Sequence, residues 1–184
     1  MSEVGPVKYF LIACAVVAML AGCAGDDNGA RGGAGTTGDI SGPPVLPAAR
    51  YVERADELCR QLIADYADLR AQERLREIDQ SRVAESEKLA RFADVLAEQL
   101  AVVSAFRQRI EALGLPSEHR DDAQQLLEKA RSAENALDQA VEAFRESNVN
   151  EANEALQRYF GFSQQSASIA RDSQLNFAIC GAGA

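Results

Sequence analysis

The sequence predicts an all-α fold: an up-down-up-down four-helix bundle that follows a signal peptide and a disordered tether. Residues 48–180 contain only one proline and two glycines, whereas Ala, Leu, Glu, Gln and Arg are abundant. Few breakers and many helix formers favour long helices over strands. Apolar residues in this region recur at intervals of three and four, which places them on one face of a helix.

Residues 1–22 have the features of a signal peptide. Lys8 supplies a short basic start, and residues 9–20 form an apolar run without a charged side chain. Twelve helical residues span only ~18 Å, which is short of the ~30 Å hydrocarbon core of a bilayer. The run therefore fits the apolar part of a signal peptide better than a permanent membrane-spanning helix.

The apolar run ends in the tetrapeptide Leu20, Ala21, Gly22 and Cys23. This tetrapeptide resembles the lipobox of bacterial lipoproteins. The resemblance implies that the Cys23 thiol receives a diacylglycerol, that cleavage follows Gly22 and that Cys23 becomes the N-terminus. Several acyl chains on one cysteine would anchor the protein stably in the bilayer, since a single chain anchors only marginally. We therefore expect a lipid-anchored protein on the extracytoplasmic face of the cell membrane. An ordinary secretory peptide with a chance cysteine is the alternative.

Residues 23–47 predict a flexible tether that separates this anchor from the domain formed by residues 48–184. They contain seven glycines and three prolines among small and polar residues. Such a segment cannot bury enough apolar surface to offset the entropy lost on ordering. A Gly-rich coil of about 24 residues has an r.m.s. span of ~25–30 Å, enough to hold the domain clear of the lipid headgroups.

The boundaries between the predicted helices follow from turn and capping residues. Gly114 suits the position after the second helix, and Ser117 is the expected cap of the third. Asn148 can end the third helix in a left-handed conformation, and Asn150 can cap the fourth. Between the first two helices the sequence leaves two readings open, a break within residues 78–82, with Asp79 as the cap, or one continuous helix.

Two cysteines remain in the domain after signal-peptide removal and lipidation, Cys59 and Cys180. An even number of cysteines in an exported domain indicates a disulfide, because the compartment is oxidising. An up-down-up-down bundle also brings the start of its first helix and the end of its fourth to the same pole. We predict a Cys59–Cys180 bond, with two buried free thiols as the alternative.

The layout as a whole resembles a set of uncharacterised helical lipoproteins of actinobacterial type. The shared features are the lipobox, the Gly-rich tether and a Leu-Pro break in mid-chain. A cysteine at the end of residues 55–59 and a second cysteine near the C-terminus complete the resemblance. It implies no particular activity.

Charge and composition argue against several classes of function. The net charge of −9 repels phosphate backbones, so we expect no nucleic-acid partner. The single histidine, His119, cannot supply the ligands of a haem, di-iron, zinc or copper centre, and after cleavage no methionine remains. No nucleophile stands in a recognisable motif. We therefore expect a protein without catalytic residues, metal or cofactor.

One segment is a candidate for contact with a ligand or partner. Tyr159, Phe160 and Phe162 flank Gly161 in the fourth predicted helix, and residues 163–168 are uncharged. These aromatics could shape a small apolar pocket, although core packing is the favoured explanation. The leading hypothesis is a non-enzymatic binding or scaffold domain that recognises an envelope protein or a cell-wall polymer. The alternative is a carrier of a small apolar ligand in a cavity between helices near Phe160. An enzyme with an unrecognised site is a third hypothesis.

Overall fold

The computed structural model describes residues 45–180, and helices account for 81% of them. The helices are α1 (Ala48–Leu69), α2 (Ala71–Gln80), α3 (Glu85–Ala112), α4 (Arg120–Arg145) and α5 (Val149–Asp172). No strand occurs within residues 45–180, so the predicted all-α class is confirmed. The predicted signal peptide, the lipobox with Cys23, and all of the predicted tether before residue 45 lie outside the described residues.

The chain is broken twice before α3. Arg70 adopts a left-handed conformation with φ 47°, which separates α1 from α2, and residues 81–84 separate α2 from α3. Asp79 is not a cap. It lies inside α2, and its backbone carbonyl accepts a hydrogen bond from Lys88 Nζ at 2.8 Å. The second break therefore falls where the sequence left the choice open, whereas no sequence signal marked the first.

The predicted cap at Ser117 is also wrong, for a reason of local backbone geometry. The backbone N–H of Ser117 donates to the Leu46 carbonyl at 2.8 Å, and α4 begins only at Arg120, after the left-handed residue His119 (φ 56°). The predicted position of Gly114 after α3 agrees with its φ of 73°.

The connection between α4 and α5 is shorter than predicted, so its residues take different roles. Ser147 adopts the left-handed conformation (φ 60°) in place of Asn148. Asn148 then caps α5 in place of Asn150: its side-chain oxygen accepts from the Glu151 N–H at 3.4 Å, and its amide donates to the Glu151 carboxylate at 2.7 Å. The pair differs from a capping box, in which the glutamate accepts from the backbone N–H of the cap residue. Here the Asn148 backbone N–H donates to the Ala143 carbonyl instead, at 2.8 Å.

Helices α3 and α4 pack with the early residues of one against the late residues of the other. The rings of Phe92, near the start of α3, and Phe144, at the end of α4, stack with centroids 6.2 Å apart. Toward the other end of this pair, Arg131 in α4 donates to Glu111 in α3 at 2.7 Å. The closest helix pair is α4 with α5, where alanines line the seam and let the backbones approach.

Apolar side chains fill the interior in three clusters. The central cluster joins α3, α4 and α5 around the fully buried Leu137. A small cluster fixes α2 to α3 through Leu75, Ile78 and Val95. A third, here called the terminal cluster, lies at the pole where α1 begins and α5 ends; its buried members are Tyr51, Ala55, Ile110, Ala123, Leu127, Ala170, Leu175 and Phe177.

Candidate functional site

The predicted disulfide is present and joins α1 to the segment that follows α5. The sulfur atoms of Cys59 and Cys180 are bonded, with their Cα atoms 5.5 Å apart and 121 positions of sequence between them. The prediction of a bonded pair is therefore confirmed. Residues 173–180, here called the strap, run from the end of α5 back to α1, and the bond closes the terminal cluster on that side.

Asp56 holds the end of the strap through its carboxylate. Oδ2 accepts the backbone N–H of Ala178 at 2.9 Å, and Oδ1 accepts those of Ile179 and Cys180 at 3.0 Å each. The Asp56 side chain is only 7% exposed, so these bonds satisfy a buried charge. Sequence analysis missed this role. The available signal was the spacing of three residues to Cys59, which places both side chains on one face of α1.

The aromatic candidates from the sequence occupy two environments. Tyr159 is buried in the central cluster, and its hydroxyl lies 3.1 Å from the hydroxyl of Tyr66 in α1. Phe160 and Phe162 are half-buried and pack against the same cluster, and the rings of Phe160 and Tyr159 are 5.4 Å apart. Lys129 Nζ lies 5.8 Å from the centre of the Phe162 ring, a cation–π contact.

The outer side of the same segment is uncharged. Residues 159–170 form the longest run without Asp, Glu, Lys or Arg in the described part of the chain. Gly161 points outward, since a Cβ built there would meet no atom within 4 Å. Gln164 and Gln165 are exposed, and within residues 45–180 their side-chain amides have no hydrogen-bond partner. We call Gly161, Gln164, Gln165 and Ser168 the uncharged face of α5.

Charged side chains dominate the other surfaces, and many of them are paired. The most buried group of ion pairs lies between α3 and α4, where Arg107 bonds to Glu134 and, at 2.5 Å, to Glu111. Arg107 and Glu134 are 18% and 17% exposed. Burial would raise the pKa of Glu134, but hydrogen bonds from Arg107 and Ser104 hold it below its ordinary value. This group is satisfied by its own members, as expected of a structural network.

The chain matches no known protein family, no curated protein and no solved structure. Among residues 45–180, no three His, Cys, Asp or Glu side chains converge as they would to hold a metal ion. His119 is exposed at the start of α4. Within the same range, no helix has the length and apolar character needed to cross a bilayer.

Three buried tyrosines have pKa values above the ordinary value of the phenol. Burial raises the pKa of Tyr51 to about 12. Burial also raises the pKa of Tyr66 well above its ordinary value, with a further increase from Tyr159. For Tyr159 the upward effect of burial exceeds the downward effect of its hydrogen bonds with Tyr66 and Ser163. All three phenols are therefore neutral at physiological pH.

These raised pKa values predict a loss of stability in alkali. Below pH 9 the phenols are protonated in both the folded and unfolded states, so their contribution to stability is complete. Above pH 10 the tyrosine phenols ionise in the unfolded chain before they ionise in the folded protein. The free energy of unfolding therefore falls as the pH rises toward the folded-state pKa of these phenols. For Tyr51 the loss at pH 11 is about 1.4 kcal/mol. Chemical denaturation at pH 8 and pH 11 measures it.

The variant Tyr51→Phe is the control for this experiment, since Tyr51 is 1% exposed and phenylalanine keeps its ring. We expect the free energy of unfolding to fall less between pH 8 and pH 11 in this variant than in the wild-type protein. An equal fall in both proteins would contradict the assignment.

Proposed function

We propose that this chain is a lipid-anchored lipoprotein of the cell envelope whose helical domain binds a partner and catalyses no reaction. The anchor rests on the Leu20 to Cys23 motif at the end of an apolar run of signal-peptide length. The Cys59–Cys180 bond supports an extracytoplasmic location, because disulfides persist in oxidising compartments. In this proposal the helices form an up-down-up-down bundle, with α1 and α2 together as its first arm.

We assign partner binding to the uncharged face of α5. The observation that carries the proposal is the exposure of Gln164 and Gln165 within the longest uncharged run of the described residues. The exposed amides of Gln164 and Gln165 offer donors and acceptors without the desolvation cost of a charge. Gly161 has no side chain, so a partner can approach the helix backbone there, and the Ser168 hydroxyl accepts a hydrogen bond from Arg171 at 3.3 Å. The face is held rigidly, since the other side of α5 packs in the central cluster.

The surface also favours a polar mode of recognition. Val45, at 62%, is the one large apolar residue that is well exposed within residues 45–180. A partner that needs a broad apolar patch would not find one on this part of the chain. Hydrogen bonding to an envelope protein or a cell-wall polymer fits the uncharged face, and the tether supplies the reach to find either.

Site-specific photo-crosslinking in intact cells tests the assignment. A photoreactive residue at position 164 should give a crosslinked product with an envelope component. The same residue at position 125 should not, because Gln125 is an exposed glutamine on α4 with charged neighbours. Muramidase treatment of the product then distinguishes a cell-wall polymer from a protein.

Charge substitutions give a matched second measurement. Gln164→Glu should reduce capture of the component at least about fivefold, because a buried, unpaired carboxylate costs more than 1 kcal/mol. Gln125→Glu should leave capture unchanged. Equal capture from positions 164 and 125, or capture that Gln164→Glu does not affect, would contradict the proposed face.

A further inference from the structure

We propose that Asp56 is the positioning residue for the Cys59–Cys180 bond, and that it docks the strap on α1 before the thiols are oxidised. This inference does not depend on the proposed function. It concerns the formation of the disulfide, and it assigns a role to Asp56, the first polar residue of the stretch 55–59.

The hydrogen bonds of Asp56 reach the cysteine itself. Three consecutive backbone N–H groups, those of Ala178, Ile179 and Cys180, converge on the two oxygens of one carboxylate. Bonds to an ionised acceptor are about twice as strong as bonds between neutral groups. Because the Cys180 N–H is one of the three, they fix its backbone relative to α1, one helical turn from Cys59.

Other contacts of the strap are also independent of the sulfur–sulfur bond. Phe177 packs edge-on against Tyr51, with ring centroids 6.3 Å apart, and Leu175 is buried in the terminal cluster. The Cys180 sulfur lies 3.4 Å from the Ala55 carbonyl oxygen, where a reduced thiol would donate a hydrogen bond. The reduced chain therefore has enough interactions to hold the two thiols side by side.

Docking of the strap on α1 favours the second step of disulfide formation. With glutathione disulfide as oxidant, the thiolate of one cysteine attacks it, forms a mixed disulfide and releases one glutathione. The thiolate of the other cysteine then attacks the protein sulfur of that mixed disulfide and expels the second glutathione. Two electrons pass to glutathione, and the two thiol protons end on the two glutathione molecules. The second step depends on the effective concentration of the partner thiol, which docking raises.

The test measures the thiol–disulfide equilibrium of the mature protein, purified in detergent, against reduced and oxidised glutathione. Asp56→Ala should lower the effective concentration of the cysteine pair at least about tenfold, since it removes three hydrogen bonds from the docked strap. Asp56→Asn keeps an acceptor oxygen and should give a smaller decrease. Glu57→Gln is the matched control, because the exposed Glu57 pairs with Arg60 and should leave the equilibrium unchanged.

A second experiment examines docking without the bond. In the variant Cys59→Ser with Cys180→Ser, the amides of residues 178–180 should remain protected from hydrogen exchange. Adding Asp56→Asn should lower that protection, while Glu57→Gln should preserve it. Unprotected amides in the double serine variant would overturn the proposal, as would an effective concentration that Asp56→Ala leaves unchanged. Hydrogen exchange in the serine variants separates the positioning of the strap by Asp56 from general stabilisation of the domain. This measurement does not require the Asp56→Ala variant to fold.

Discussion

Replacing both Cys59 and Cys180 by serine is expected to lower the free energy of unfolding by about 3–5 kcal/mol. The bond closes a loop of 121 residues, and its loss restores conformational entropy to the unfolded chain. For a domain of this size the melting temperature should fall by roughly 10–15 °C. Helical content at room temperature should not change, because the central cluster of α3, α4 and α5 includes neither cysteine. Thermal denaturation followed by circular dichroism measures both effects.

Reduction of the wild-type protein should reproduce this shift, and a reductant should have no further effect on the double serine variant. Intact-mass analysis after alkylation, without prior reduction, provides the independent check. Two alkylated thiols in the purified wild-type domain, or a double variant as stable as the wild type, would contradict the expected role of the bond.

Cys23→Ser should abolish lipidation altogether. Serine has no thiol to receive the diacylglycerol, so the variant should accumulate as an unprocessed precursor or leave the membrane. Labelling with a fatty-acid analogue, mass spectrometry of the N-terminus and membrane fractionation together measure the outcome.

Cys14→Ser is the matched control for this prediction. It removes a cysteine from the same apolar run but leaves the motif from Leu20 to Cys23 intact, so processing should continue. If Cys23→Ser protein fractionates with membranes in a mature, labelled form like the wild type, the lipoprotein proposal is wrong.

The features that sequence could predict are those set by side-chain pattern over many residues. Apolar spacing identified the regions that fold into helices, and breaker content excluded strands. Gly114 was predictable because glycine adopts a positive φ without steric cost. The pairing of Cys59 with Cys180 followed from an expected arrangement of helix ends and the oxidising compartment.

The features that the sequence could not predict depend on backbone conformations that residues other than glycine rarely adopt. Arg70, His119 and Ser147 all adopt positive φ without being glycine, at a cost that only tertiary packing can offset. Their positions decide where α1 ends and where α4 and α5 begin, so the predicted caps at Ser117 and Asn150 moved with them.

The candidate functional residues were likewise predictable only in part. The sequence drew attention to the segment around Gly161, but only the structure separates its inward aromatic residues from its outward uncharged ones. The spacing of Asp56 to Cys59 placed both on one face of α1 but did not reveal the partners of Asp56, which are backbone amides more than a hundred residues away.

The disulfide also sets the path of mechanical load through the domain. In the proposed arrangement, a partner bound to α5 would pull against a lipid anchor that precedes Leu46 in the sequence. Force would travel along the first turns of α1 to Cys59, cross the sulfur bond to Cys180 and pass through the strap into α5. Most of α1 and all of α2, α3 and α4 lie outside this route, so tension on the anchor would not unravel them. With the bond reduced, the same tension would run through every helix before α5.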